Sequence, residues 1–322
     1  MKLRLGIDLF SIRSQGWTAF QYLDYCSKLG VEVVHFSEAR FFGGLEEGHL
    51  RKVKARADEL GLKLEAGMTS ICPTSKRFLP AEGSAEQQIL RMLAVAKQVG
   101  SPILRAFVGT FNDRPIEPHI ESTVKVLRAV RGPVVDAGLK IAIENHAGDM
   151  QAREAKMLFD EAGKDVAGAC LDSGNPVWAI EDPHLTLETL APYVLTTHVR
   201  DSAVWEDPKG IATQWTALGE GTIGIDRWVK RFSELCPQAP LSLEIIITRQ
   251  PRIHNYLDPG FWQAFPNTPA WEFARFVALA RQGSPRHPPP APGAPNSPEQ
   301  RAFLIADERA ALERSVQWVK DL

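Results

Sequence analysis

Cysteine is scarce and dispersed. The 322-residue chain has four, Cys26, Cys72, Cys170 and Cys236, and no two form a CxxC pair. That spacing excludes a disulfide framework and a thiolate metal site, and it fits a reducing, cytoplasmic setting. No run of 18 apolar residues occurs, so no transmembrane helix is expected. Charge of one sign is not in excess either: 37 Lys+Arg against 39 Asp+Glu leave a net charge of −2. This balance gives no footprint for nucleic acid or for an anionic membrane. Lys2 and Arg4 precede an apolar stretch, but Asp8 interrupts it and no small-residue cleavage site follows. The stretch reads as a first strand and not as a signal peptide. With 44% hydrophobic and 24% charged residues, the chain has the balance of a globular enzyme with a large core. Its length allows two domains or one large barrel.

Short β-rich apolar runs alternate with amphipathic helical stretches. The strand candidates are residues 3–9, 31–37, 62–69, 102–108, 139–146, 166–172, 194–200 and 241–247. Gly30, Gly61, Gly100 and Gly138 fall where a helix ends and the next strand begins. Eight such units over residues 1–282 predict an α/β fold, a (β/α)8 TIM barrel, with 269–281 as the closing helix. Residues 283–298 are proline-rich and read as a semi-rigid linker. Ser297, Pro298 and Gln300 then open a C-terminal helix over 299–322, with Ile305, Leu312, Val316 and Val319 on one face. That helix either packs back on its own barrel or forms a subunit contact in a homo-oligomer.

In such a barrel the active site lies at the carboxyl ends of the strands. There the last four strands deliver Glu144, Asp172, His198 and Glu244. Period-2 alternation turns Glu144 and His146 inward if Ile141 and Ile143 face the helices, and likewise His198 with Arg200, and Glu244. Three carboxylates converging on one spot repel one another unless a cation neutralises them. One divalent metal is therefore expected, Mn2+ first, with Mg2+, Co2+ or Zn2+ as alternatives. Arg200, His146, His35 and Trp17 are candidate substrate contacts.

These strand ends, Glu144-Asn145-His146, Asp172-Ser173-Gly174-Asn175, His198-Val199-Arg200-Asp201 and Glu244, with Gly219 to Asp226 between the last two, resemble the sugar phosphate isomerase/epimerase superfamily of xylose-isomerase-like TIM barrels. The resemblance spans roughly residues 1–282. It implies that Glu144, Asp172, His198 and Glu244 bind one divalent metal, and that the glutamates serve as an acid/base pair. The chemistry agrees. A hydroxy-ketone chelated to the metal has an acidified C–H, a carboxylate removes that proton, and the metal holds the enediolate. Isomerisation or epimerisation of a small sugar follows. If the next carbon bears a leaving group, the same enolate expels it, which makes a lyase acting on a 3-oxo sugar, glycoside or cyclitol the alternative. His146 is then the candidate acid/base. Asn175 stands where epimerase members carry histidine, which points away from a ketose 3-epimerase. Two other readings, an apurinic-site endonuclease and a non-catalytic carbohydrate-binding barrel, have less behind them: the first needs several more histidines than the eight present.

Overall fold

A computed structural model describes residues 3–322; Met1 and Lys2 lie outside the described residues. Eight parallel strands form one sheet: β1 (Leu5–Asp8), β2 (Val33–Phe36), β3 (Lys63–Ser70), β4 (Ile103–Phe107), β5 (Lys140–Glu144), β6 (Ala167–Asp172), β7 (Val194–His198) and, after an inserted hairpin, β10 (Leu241–Leu243). The sheet order is β10-β1-β2-β3-β4-β5-β6-β7. An isolated parallel bridge, Val199 to Leu243, joins the two ends and closes the ring. This is the TIM barrel that the eightfold alternation predicts.

The helices α1 (Ala19–Lys28), α2 (Glu47–Glu59), α3 (Ala85–Val99), α4 (Glu117–Asp136), α5 (Ala152–Ala162) and α6 (Pro183–Leu190) follow the first six strands. They start for visible reasons: Thr18 and Ser84 close capping boxes with Gln21 and Gln87. The glycines predicted to end α1, α2, α3 and α4, namely Gly30, Gly61, Gly100 and Gly138, all have φ between 68° and 71°. That left-handed geometry is the one a helix terminus most readily takes with glycine.

Three features differ from the sequence expectation. The stretch after β7 is an antiparallel hairpin, β8 (Asp201–Asp207) with β9 (Gly210–Thr216), and β11 (Arg252–His254) from the long final loop adds a third strand. Strand seven ends at His198, not at residue 200, because Asp201 begins β8. Strand eight ends at Leu243, because the backbone N–H of Ile245 turns to the Ser11 hydroxyl at 2.9 Å. The hairpin leads into α7 (Ile225–Leu235), and α8 (Ala270–Gln282) closes the outer layer.

The proline-rich stretch leads to α9 (Pro298–Lys320), which Ser297 caps by accepting from the Gln300 N–H. Ala311, Leu312, Ser315 and Val316 of α9 are buried. The Tyr25 hydroxyl donates to Glu313 at 2.9 Å, the Ser14 hydroxyl to Glu308 at 2.8 Å, and the Lys320 ammonium to the Leu29 carbonyl at 2.8 Å. Among the described residues no helix is long and apolar enough to cross a membrane.

Candidate metal centre

The four residues expected to share an ion come together. One ligand-capable atom from each of Glu144, Asp172, His198 and Glu244 lies within 4.8 Å of every other, and all four side chains are buried. Each sits at or just past the carboxyl end of its strand. Alternation does the aiming: Ile141 and Ile143 pack into the main core with the helices, so Ala142 and Glu144, of the other parity, turn to the barrel axis.

The carboxylates are not bare, contrary to the expectation that only a cation could balance them. Arg105 binds Glu144 through Nε (2.8 Å) and Nη2, and Nη2 of Arg200 bridges Asp172 and Glu244. Sequence reading assigned Arg105 no role; its partner stands 39 residues away on the neighbouring strand, one same-face step along the register (Arg105 is opposite Ala142, and Phe107 opposite Glu144). Burial raises the Glu144 pKa, but Arg105 and His198 outweigh it and hold the carboxyl well below the usual range. Asn175 donates through Nδ2 to Oε1 of Glu144 at 2.9 Å, so both oxygens of Glu144 are held. Asp172 accepts from the backbone N–H groups of Gly174 and Asn175, each at 2.6 Å.

His198 supplies the test of fit for a cation. Its Nε2 lies 3.0 Å from Nδ1 of His35. Its Nδ1 is buried without a hydrogen-bond partner, 3.0 Å from Oε2 of Glu144 and 3.6 Å from Oε2 of Glu244. A ring nitrogen facing two carboxylates needs a positive charge between them, as a proton or as a metal ion. Burial opposes charge on this ring, yet Cys170, Glu144, Glu244 and Asp8 raise its pKa well above the ordinary value. One imidazole with carboxylate oxygens is a donor set that divalent ions accept. The residues present fit the group.

Above the cluster opens a cavity of about 230 Å3, lined by Phe107, His146, Asn175, Trp178, Arg200, Trp215 and Glu244 among others. Of the four carboxylate and imidazole groups, only Glu244 lines it. His146 stacks on Phe107 with ring centroids 4.0 Å apart, and its Nδ1 lies 2.8 Å from the Gly109 carbonyl. A carbonyl only accepts, so Nδ1 carries the proton and Nε2 presents a lone pair. Burial lowers the His146 pKa to about 4, which keeps the ring neutral at physiological pH.

Two expected substrate contacts lie elsewhere. His35 is fully buried against His198, so it orients that ring and does not line the cavity. Trp17 packs edge-on to Tyr25 at 5.0 Å near α9 and does not line the cavity. Sequence reading missed Trp178 and Trp215, whose rings stack at 3.9 Å and 8°. Trp178 follows the β6 end closely enough to have been considered. Trp215 comes from the unrecognised hairpin. Arg200 lies over the Trp215 ring at 4.5 Å, and Gly174 makes room for it: a Cβ there would sit 2.3 Å from Cγ of Arg200.

A parallel barrel with its polar side chains gathered at the strand ends defines the (β/α)8 class. Within that class the chain belongs to the xylose isomerase-like TIM barrel family, which residues 23–259 match. The 3-oxo-isoapionate decarboxylase of Pectobacterium atrosepticum is 25% identical over 206 residues, 63% of this chain and 69% of that protein. Two solved structures share the fold. D-psicose 3-epimerase from Clostridium cellulolyticum H10, with D-tagatose, has a TM-score of 0.60 at 13% identity, covering 96% of this chain and 99% of its own. The 3-keto-D-glucoside 4-epimerase of E. coli has a TM-score of 0.57 at 14% identity, covering 87% and 99%.

Proposed function

We propose that this chain is a metal-dependent enzyme that abstracts a proton beside the carbonyl of a small sugar, working as an isomerase or epimerase through an enediolate. Glu144, Asp172, His198 and Glu244 would hold one divalent cation, with Mn2+ the first choice. When bound, the cation supplies Lewis-acid polarisation of the carbonyl and so acidifies the adjacent C–H. The observation that carries this reading is the buried, unpartnered Nδ1 of His198 between two carboxylates.

Proton transfer falls to groups that reach the cavity. His146 offers a neutral Nε2 lone pair from the Phe107 side, and Glu244 offers a carboxyl from β10. Glu144 is fully buried with both oxygens engaged, so its role is that of a ligand, and the acid/base pair becomes Glu244 and His146. Arg105 and Arg200 keep the carboxylates in place, while the stacked Trp178 and Trp215 line one side of the cavity. Four buried free cysteines suit a reducing cytoplasm.

The lyase alternative has one observation of its own: the curated relative at 25% identity is a decarboxylase of a 3-oxo compound. Losing a leaving group or carbon dioxide beside a carbonyl passes through the same enolate as losing a proton.

Solvent-deuterium exchange into a panel of ketoses and 3-oxo sugars tests the proposal. Exchange should vanish with chelator, return with one equivalent of Mn2+, and fall about 10²-fold or more in E244Q. Exchange indifferent to chelator, or intact in E244Q, ends it.

A further inference from the structure

The cavity wall carries polar atoms that the protein itself does not satisfy. Nε and Nη1 of Arg200, Nε1 of Trp178 and Oδ1 of Asn175 are buried and have no hydrogen-bond partner among the described residues. All three residues line the cavity. Three of the four atoms are donors, and two belong to a guanidinium whose remaining nitrogen is committed to Asp172 and Glu244. Buried donors left unpaired are costly, and a charged one most of all, so the ligand must bring acceptors.

The donors are held rigidly. Arg200 lies over Trp215, Trp215 stacks on Trp178, and the Trp215 indole N–H is tied to the Gly174 carbonyl at 3.0 Å. At the rim, Arg77 lines the same cavity, exposed, with no carboxylate partner among the described residues. A neutral hydroxyl would need an acceptor for its own proton and would offer the unpaired guanidinium nitrogen only a weaker, neutral acceptor. A carboxylate accepts only, and its pairing with a guanidinium is the stronger kind of hydrogen bond.

We propose that the substrate is a sugar acid, whose carboxylate is received by the free Nη1 of Arg200 and the Trp178 N–H, with Arg77 guiding it in from the rim. The size of the space agrees. At about 230 Å3 it is below the roughly 300–1,000 Å3 typical of pockets for drug-sized ligands, so it suits one monosaccharide. This inference rests on the cavity being the sugar site proposed above, and it names the substrate class of that site.

The test uses the full chain and matched pairs of five- and six-carbon sugar acids and their neutral counterparts, with hexose phosphates as a third arm. Binding is read by thermal shift and calorimetry. Acids should bind about ten- to a hundred-fold tighter than their neutral partners, the worth of one charge-assisted hydrogen bond, and R77Q and W178F should each remove most of that preference. R77Q changes an exposed side chain, so its folding is not in question. Neutral sugars binding as well as acids, no acid binding at all, or acid preference intact in both variants overturns the proposal. Phosphates bound more tightly than carboxylates overturn it too. None of those outcomes bears on chelator-sensitive deuterium exchange, so failure here is separable from failure of the proposed chemistry.

Discussion

Single side chains in this site act mostly through one another. His35 lies under His198 and touches it at 3.0 Å, while Glu65, 3.5 Å from His35, accepts from the Thr196 hydroxyl at 2.6 Å. That chain fixes the imidazole so that Nδ1 faces the carboxylates. Removing a partner that orients a metal-ligating histidine commonly weakens metal affinity about 10- to 100-fold. H35A should therefore bind Mn2+ about that much more weakly in a direct titration, with Asp172 and Glu244 untouched. Unchanged affinity would show that the ring of His198 is set by its other neighbours. At this scale the sequence was legible as far as inward-facing ionisable residues on adjacent strand ends. Their partners were not: Arg105 and Asn175 belong to Glu144 through strand register and loop curvature, which no local pattern encodes.

Among the elements, the eight strands and their helices were readable because period-2 runs alternate with helical ones and glycines mark the junctions. The hairpin β8–β9 was not read, although its signal exists. Asp207-Pro208-Lys209-Gly210 is turn chemistry between Ala203-Val204-Trp205 and Ile211-Ala212-Thr213. A scheme of eight units treated that stretch as a long loop, and with it lost Trp215. The terminal helix α9 was legible from its cap and apolar face: Leu312 and Val316 are buried, and Ile305 and Val319 half-buried. Burying a Leu and a Val stabilises by roughly 1.5–3 kcal/mol each. Deleting residues 298–322 should therefore lower unfolding stability in urea by about 3 kcal/mol or more. A change under about 1 kcal/mol would mean that α9 only rests on the barrel.

At the scale of the molecule, the site exists only when the ring is complete, since β1, β2, β4, β5, β6, β7 and β10 each carry one or more of Asp8, His35, Arg105, Glu144, Asp172, His198 and Glu244 at or near their ends. The narrowest joint in that ring is between β7 and β10. Two backbone-to-backbone hydrogen bonds hold it, Val199 N–H to the Ser242 carbonyl at 2.8 Å and Glu244 N–H to the Val199 carbonyl at 3.1 Å, with the Ser242 N–H donating to the Thr197 hydroxyl at 2.9 Å. His198 and Glu244 stand on opposite lips of this joint. On the proposed reading, an ion gripped by both would be a rivet as well as a reagent, pinning shut the place where the cylinder would tear first. Amide exchange at Val199 and Glu244 should slow markedly on loading with Mn2+, far more than at the β3–β4 ladder across the ring, and equal slowing everywhere would show that the seam needs no fastening.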